Sequence, residues 1–286
     1  MTNSPVKITE CPRDAMQGLH DFIPTDKKAT YINLLLQVGF DTIDFGSFVS
    51  PKAIPQMRDT AELLAKLDLS TNRSKLLAII ANYRGAEDAV KHPEITYLGF
   101  PYSISETFQQ RNTNSGIAKS FETLENIYDL CERNNKKVRA YMSMGFGNPY
   151  GDPWNIDLLV AEVDNIISAG IFDIYIADTI GIASSEQIST VFKALSERFI
   201  NITFGLHLHS TPNTWSEKIT AAYKAGCRMF DTTIKGYGGC PMAADDLTGN
   251  IATENLIGYL QAQNEPTGLD MGKFREAMEY AGNIFI

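Results

Sequence analysis

Short runs of strand-forming residues alternate along this chain with longer stretches whose apolar positions recur every three or four residues. The runs are KITEC (7–11), DTIDF (41–45), KLLAII (75–80), EITYLGF (94–100), VRAYMSM (138–144), FDIYIAD (172–178), NITFGLHLH (201–209) and RMFDTTI (228–234). Their length and their β-branched and aromatic content predict strands. Between them, 25–39, 119–135, 156–170, 185–199 and 214–226 carry a helical period. Gly39, Gly170 and Gly226 stand where C-terminal caps are expected, and Thr25, Ser184 and Thr214 where N-caps are expected. Eight strands alternating with helices predict parallel βαβ units. The strand count and a length of 286 residues fit an α/β protein closed into a (β/α)8 TIM barrel. An open doubly wound sheet is the alternative. The tail, 253–263 and 271–284, predicts two additional C-terminal helices on the barrel's outside. With no long linker, low-complexity segment or break in composition, residues 1–286 are expected to form a single domain.

Composition acts mainly by exclusion. Hydrophobic content of 44% and charged content of 21% are ordinary for a globular protein. The net charge is −9 without any block of Lys or Arg, which argues against nucleic acid or an anionic membrane surface as partner. A small anionic substrate stays compatible, because a pocket can be locally positive. No run approaches the ~18 apolar residues of a membrane span. The start, MTNSPVKITE, has neither the apolar core of a secretory signal nor an arginine-rich transit character. A cytoplasmic protein is expected, with Cys11, Cys131, Cys227 and Cys240 as reduced thiols, since no CxxC pair occurs.

Candidate chemistry gathers at the predicted C-terminal ends of the strands, where barrels of this kind carry their sites. 12-PRD-14 follows the first strand, and Asp44 with 46-GSFVSP-51 ends the second. Tyr141 lies on the fifth, 178-DTIG-181 ends the sixth and 236-GYGGCPMA-243 follows the eighth. On the seventh, His207 and His209 are two apart and so share a face. They either hold a metal together or are a strand cap and a core histidine, and this stretch alone leaves both open. Asp14 could add a carboxylate and Asn250 an amide oxygen, a set that suits six-coordinate Mg²⁺ or Mn²⁺. Zn²⁺ also accepts two His and one Asp. The glycines of 236–241 match neither a P-loop nor GxGxxG and are read as a hinge; 245-DD-246 is read as a solvated face.

The motifs 12-PRDAMQ-17, 46-GSFVSPKAIPQM-57, 178-DTIG-181, 207-HLH-209, 238-GGCP-241 and 249-GNIATE-254 carry a resemblance. From about residue 5 to about residue 280 the chain resembles the 3-hydroxy-3-methylglutaryl-CoA lyase family of metal-dependent barrel lyases. The resemblance implies retro-Claisen cleavage of an acyl-CoA to acetyl-CoA and acetoacetate, in leucine degradation or ketone-body formation, by a homodimer. It implies Asp14, His207, His209 and Asn250 as metal ligands. It sets Arg13 against the thioester carbonyl and Cys240 on a glycine-rich loop as catalytic thiol, with His207 or Asp44 as base or relay. Gln17, Asp44, Ser47, Tyr141, Asp178 and Thr179 fall at pocket positions. The chain departs from the family pattern at Ala15, at Gly18, Leu19 and His20, and at Asp44, Lys235 and Asn255. These departures bear on acyl preference, so the alternative is a related lyase or Claisen condensing enzyme acting on another 3-hydroxyacyl-CoA or a 2-oxo acid. An inactive metal-binding scaffold is the reading from another class, and the presence of Arg13, Asp14 and Cys240 speaks against it. Lys235, and Arg111 with Asn112 in an expected loop after the fourth strand, are candidate CoA contacts or plain surface residues.

Overall fold

The computed structural model describes residues 5–239 and 248–285; the candidate thiol Cys240 and the pair 245-DD-246 lie outside the described residues. Eight parallel strands, β1 (Lys7–Glu10), β2 (Thr42–Ser47), β3 (Lys75–Ile79), β4 (Ile95–Ser103), β5 (Lys137–Ser143), β6 (Asp173–Asp178), β7 (Phe204–Ser210) and β8 (Met229–Thr232), pair in chain order. β8 returns to β1, with Ile8 beside Phe230, so the sheet is a closed barrel as expected. A two-residue strand, β9 (Gly249–Asn250), adds to β7 in antiparallel sense.

Strand alternation sorts the side chains. Ile43, Phe45, Leu98, Phe100, Ile174, Ile176, Leu206 and Phe230 belong to the main core with helix residues such as Ile32, Leu35, Leu124, Ile166, Val191 and Ile219. The inward set, Leu77, Tyr97, Tyr141, Tyr175 and Met229, forms a separate cluster in the lumen. There the Arg139 guanidinium lies 4.7 Å from the Tyr97 ring and 4.3 Å from that of Tyr175. It bonds Asp173 at 2.9 Å and the Thr9 hydroxyl at 3.1 Å. A Cβ at position 205 would sit 2.4 Å from the Tyr175 ring, so only glycine on β7 leaves room for that ring. The lower lumen is therefore a plug, and open volume is left at the C-terminal mouth.

The predicted helices occur at Thr25–Val38, Ile117–Arg133, Ile156–Ser168, Ser185–Arg198, Trp215–Lys224, Thr253–Ala262 and Met271–Ala281. Gly39, Gly170 and Gly226 all have positive φ, which a side chain would disfavour. Ser184 caps its helix in a reciprocal capping box with Gln187. Thr25 and Thr214 do not cap by side chain: Pro24 occupies the first cap position and Thr214 instead accepts from the Thr211 amide. Arg111 and Asn112 lie on a helix, Glu106–Thr113, rather than in a loop. The described cysteines, Cys11, Cys131 and Cys227, are free and buried. No described helix is long and apolar enough to cross a membrane.

Candidate metal centre and active site

The chain leaves β1 and turns at once into a short helix, Pro12–Gln17, with Pro at its first position, where proline's missing N–H is no loss. This turn brings Arg13, Asp14 and Gln17 to the barrel mouth. Arg13 is gripped from β2: its Nε and Nη2 donate to both Asp44 oxygens, the shortest contact being 2.5 Å. Its Nη1 donates to Gln17 at 2.8 Å and to Asp14 at 3.1 Å, and the Gln17 amide donates to Asp14 at 2.8 Å. The β7–β9 register sets Asn250 opposite His209. The Asn250 amide nitrogen donates to Asp14 at 2.7 Å and to the Tyr237 carbonyl at 3.0 Å, which leaves its oxygen as the atom it can offer a ligand. Gly238, with φ of +89°, crosses so close that a Cβ would lie 2.7 Å from the Asp14 carbonyl oxygen; a side chain here would push the loop off the site.

His207 and His209 face each other with their Nε2 atoms 3.2 Å apart. His209 Nδ1 lies 3.0 Å from the Thr179 carbonyl oxygen and His207 Nδ1 3.1 Å from Asp231 Oδ2. Both partners are acceptors, so both Nδ1 atoms carry hydrogen and the two rings turn their Nε2 atoms toward one another. Such a pair is unfavourable unless a proton or cation lies between. Two ligands each about 2.1 Å from one ion and at right angles would be about 3 Å apart, close to the separation found. One ligand atom each from Asp14, His207 and His209 lie within 4.8 Å of one another. Two imidazoles, a carboxylate and an amide oxygen fit a divalent cation.

The electrostatics follow from burial and charge. Burial opposes charge on His207, but the Asp231 carboxylate outweighs it and raises that pKa above the imidazole norm. Burial, with His207 beside it, pushes His209 down to about 4. Burial would raise the Asp14 carboxyl, yet Arg13 and the two imidazoles hold it below the ordinary value. Asp44 goes the other way, pushed by burial up to about 6 in spite of Arg13.

The cavity over these groups measures about 240 Å³. Arg13, Asp14, Gln17, Asp44, Ser47, Tyr141, Thr179, His207 and His209 line one part, and Val49, Ile54, Ile79, Pro101 and Phe108 form an apolar wall. Asp178 is not brought to it. Its carboxylate accepts from Lys218 at 2.6 Å and from the Ala183 amide at 3.1 Å, so it holds the loop after β6 in place instead. Lys218 also donates to the carbonyls of Gly181 and His209. Asn112 reaches the cavity, whereas Arg111 lies over the Tyr150 ring. Lys235 is exposed, and its amide donates to Glu254. Asp231 was missed from the sequence; the inward alternation of Met229 and Asp231 on β8 is the signal that could have found it.

A family profile described as HMGL-like matches residues 6–280. The chain is 32% identical over 269 residues to a hydroxymethylglutaryl-CoA lyase of Bacillus subtilis, covering 94% of this chain and 89% of the relative. It is 31% identical to the cytoplasmic 3-hydroxy-3-methylglutaryl-CoA lyase of Rattus norvegicus, covering 96% and 80%. An HMG-CoA lyase of A. baumannii, solved in complex with coenzyme A and 3-methylmalate, aligns with a TM-score of 0.91 at 29% identity, over 99% of this chain and 92% of that one. The carboxyl transferase domain of Rhizobium etli pyruvate carboxylase aligns at 0.71 with 17% identity, over 96% and 47%, a likeness of fold alone.

Proposed function

This chain belongs to the HMGL-like family, and from that premise we propose that it is a metal-dependent lyase that cleaves 3-hydroxy-3-methylglutaryl-CoA to acetyl-CoA and acetoacetate. The observation that carries the reading is the convergence of Asp14, His207 and His209 beside Arg13 at the barrel mouth. Asp14, His207, His209 and Asn250 would hold Mg²⁺ or Mn²⁺, which when bound supplies Lewis acidity to an oxygen of the substrate.

The remaining work falls to side chains. The C3 hydroxyl gives up its proton as the C2–C3 bond breaks, and the bonding pair passes into the thioester as an enolate. Asp44, with a pKa near 6, is suited to take that proton near neutral pH; His207 is the other candidate. Arg13 keeps a permanent charge and is fixed by Asp44 and Gln17, so it is preorganised for the enolate oxygen. Protonation of the enolate carbon yields acetyl-CoA, and Cys240 is the proposed donor on the strength of the resemblance. Ser47, Tyr141 and Thr179 shape the pocket. Asp178 contributes by holding the Thr179 loop. An acyl-CoA substrate agrees with the coenzyme A complex of the A. baumannii relative. A place in leucine degradation or ketone-body formation, a cytoplasmic location and a homodimer complete the reading, the first and the last resting on the resemblance.

Acetoacetate release from 3-hydroxy-3-methylglutaryl-CoA by metal-stripped protein, with and without Mg²⁺ or Mn²⁺, tests it. Release that requires the ion is expected. No release with either ion would refute this substrate and move the assay to other 3-hydroxyacyl-CoA thioesters, for which the apolar wall offers room.

A further inference from the structure

Four buried acids, Asp14, Asp44, Asp178 and Asp231, stand around the mouth of the barrel, and three are matched by cations. Asp14 receives Arg13 Nη1 at 3.1 Å. Asp44 receives three contacts from Arg13, and Asp178 receives Lys218 and a backbone amide. Asp231 differs. Only 2% exposed on β8, it is the direct register partner of His207 on β7. Its Oδ2 lies 3.1 Å from His207 Nδ1, and its buried Oδ1 has no hydrogen-bond partner among the described residues. A buried carboxylate with one imidazole as its only described partner is a poor device for stability, because desolvation is only weakly offset. It is well suited to orienting a ligand, since a carboxylate behind an imidazole fixes the tautomer and strengthens the far nitrogen as a donor.

We propose that Asp231 is a positioning residue for the metal centre: it holds His207 in the Nδ1–H form, so that Nε2 is directed at the cation shared with Asp14 and His209. This rests on the metal-dependent reading above. Backbone register enforces the arrangement, because His207 and Asp231 sit side by side on paired strands and both point inward. Among the described residues His209 has no matching acid; the Thr179 carbonyl does the equivalent job without charge. The two ligands are therefore unequal, and His207 is the stronger donor of the pair.

Mn²⁺ affinity measured by electron paramagnetic resonance on wild type, Asp231→Asn and Asp231→Ala, with circular dichroism as a check on folding, tests the assignment. Both variants are expected to bind Mn²⁺ about 10- to 100-fold more weakly. Two-bond ¹H–¹⁵N spectra of the metal-free wild type are expected to show His207 protonated at Nδ1, with the signal identified by its loss in His207→Gln. Unchanged affinity in folded variants, or an Nε2–H pattern for His207 in wild type, overturns the proposal. The second readout stands even where the variants do not fold. Wild-type protein that binds no Mn²⁺ overturns the metal-dependent reading and this proposal with it, whereas wild-type binding with equal affinity in the variants overturns this proposal alone.

Discussion

Arg13 shows how much of the site depends on one buried charge. Its guanidinium satisfies Asp44, Asp14 and Gln17 together, and Asp44 is only 1% exposed. Arg13→Gln is expected to destabilise the fold by roughly 3–5 kcal/mol, because Asp44 is left buried and unmatched. Arg13→Gln combined with Asp44→Asn should regain most of that stability in urea unfolding and still fail in turnover, since no charge remains for the enolate. A double variant as unstable as the single one would mean that the ion pair is not the source of the loss. Much of this site was legible in the sequence. Asp14, His207 and His209 could be grouped because strand alternation and barrel topology put them on one rim. Alternation with Met229 points Asp231 inward as well, but its role comes from His207, its neighbour across the sheet, and not from its own strand. Asp178 falls at a pocket position by sequence, but Lys218, which turns it away, is 40 positions downstream and on a different element.

Elements were legible where the hydrophobic period ran long. The long helices and all eight strands fall within a few residues of expectation, but Pro12–Gln17, Thr60–Leu64 and Tyr83–Ala89 are too short to show a period. The junction of β1, the turn after β8 and the helix Thr253–Ala262 depends on a group that no pattern reveals. Glu10 points out of the barrel and is fully buried. It accepts from the Ile234 amide at 2.8 Å and lies 2.6 Å from the Thr253 hydroxyl, which is itself 2.8 Å from that of Thr232. Burial lifts its pKa from an ordinary 4.5 to about 8, against the pull of those hydrogen bonds. Between these values the folded chain keeps a proton that the unfolded chain releases. The contribution of Glu10 is therefore fully favourable below about 4.5 and is lost as pH rises through about 8, at up to about 1.4 kcal/mol per pH unit. Glu10→Gln should flatten the fall of stability across that window in chemical denaturation at stepped pH. An unchanged slope would show that Glu10 ionises freely in the folded protein.

At the scale of the whole molecule, the last described residue reaches the site. The helix Met271–Ala281 packs back on Thr25–Val38, with Phe274 edge-on to Phe40 and Tyr280 stacked at 6.4 Å on Tyr31. Just beyond it, Phe285 meets Tyr31 edge-on at 6.0 Å and stacks on Tyr237 at 4.3 Å. Tyr237 belongs to the glycine-rich segment, and its carbonyl accepts from Asn250, whose amide also holds Asp14. An aromatic stack at the last described residue is thus two contacts away from Asn250, one of the proposed metal ligands. Such a stack contributes about 0.5–1.5 kcal/mol beyond the area it buries, which corresponds to roughly two- to tenfold in an equilibrium. Phe285→Ala is therefore expected to weaken Mn²⁺ binding by about that factor, while Phe285→Tyr keeps the stack and stays near wild type. If the end of the chain only covers the barrel, the melting temperature of Phe285→Ala will fall and its Mn²⁺ affinity will not. Measuring both on one preparation separates a cover from a brace, because only a brace carries the loss of the ring through Tyr237 to Asn250.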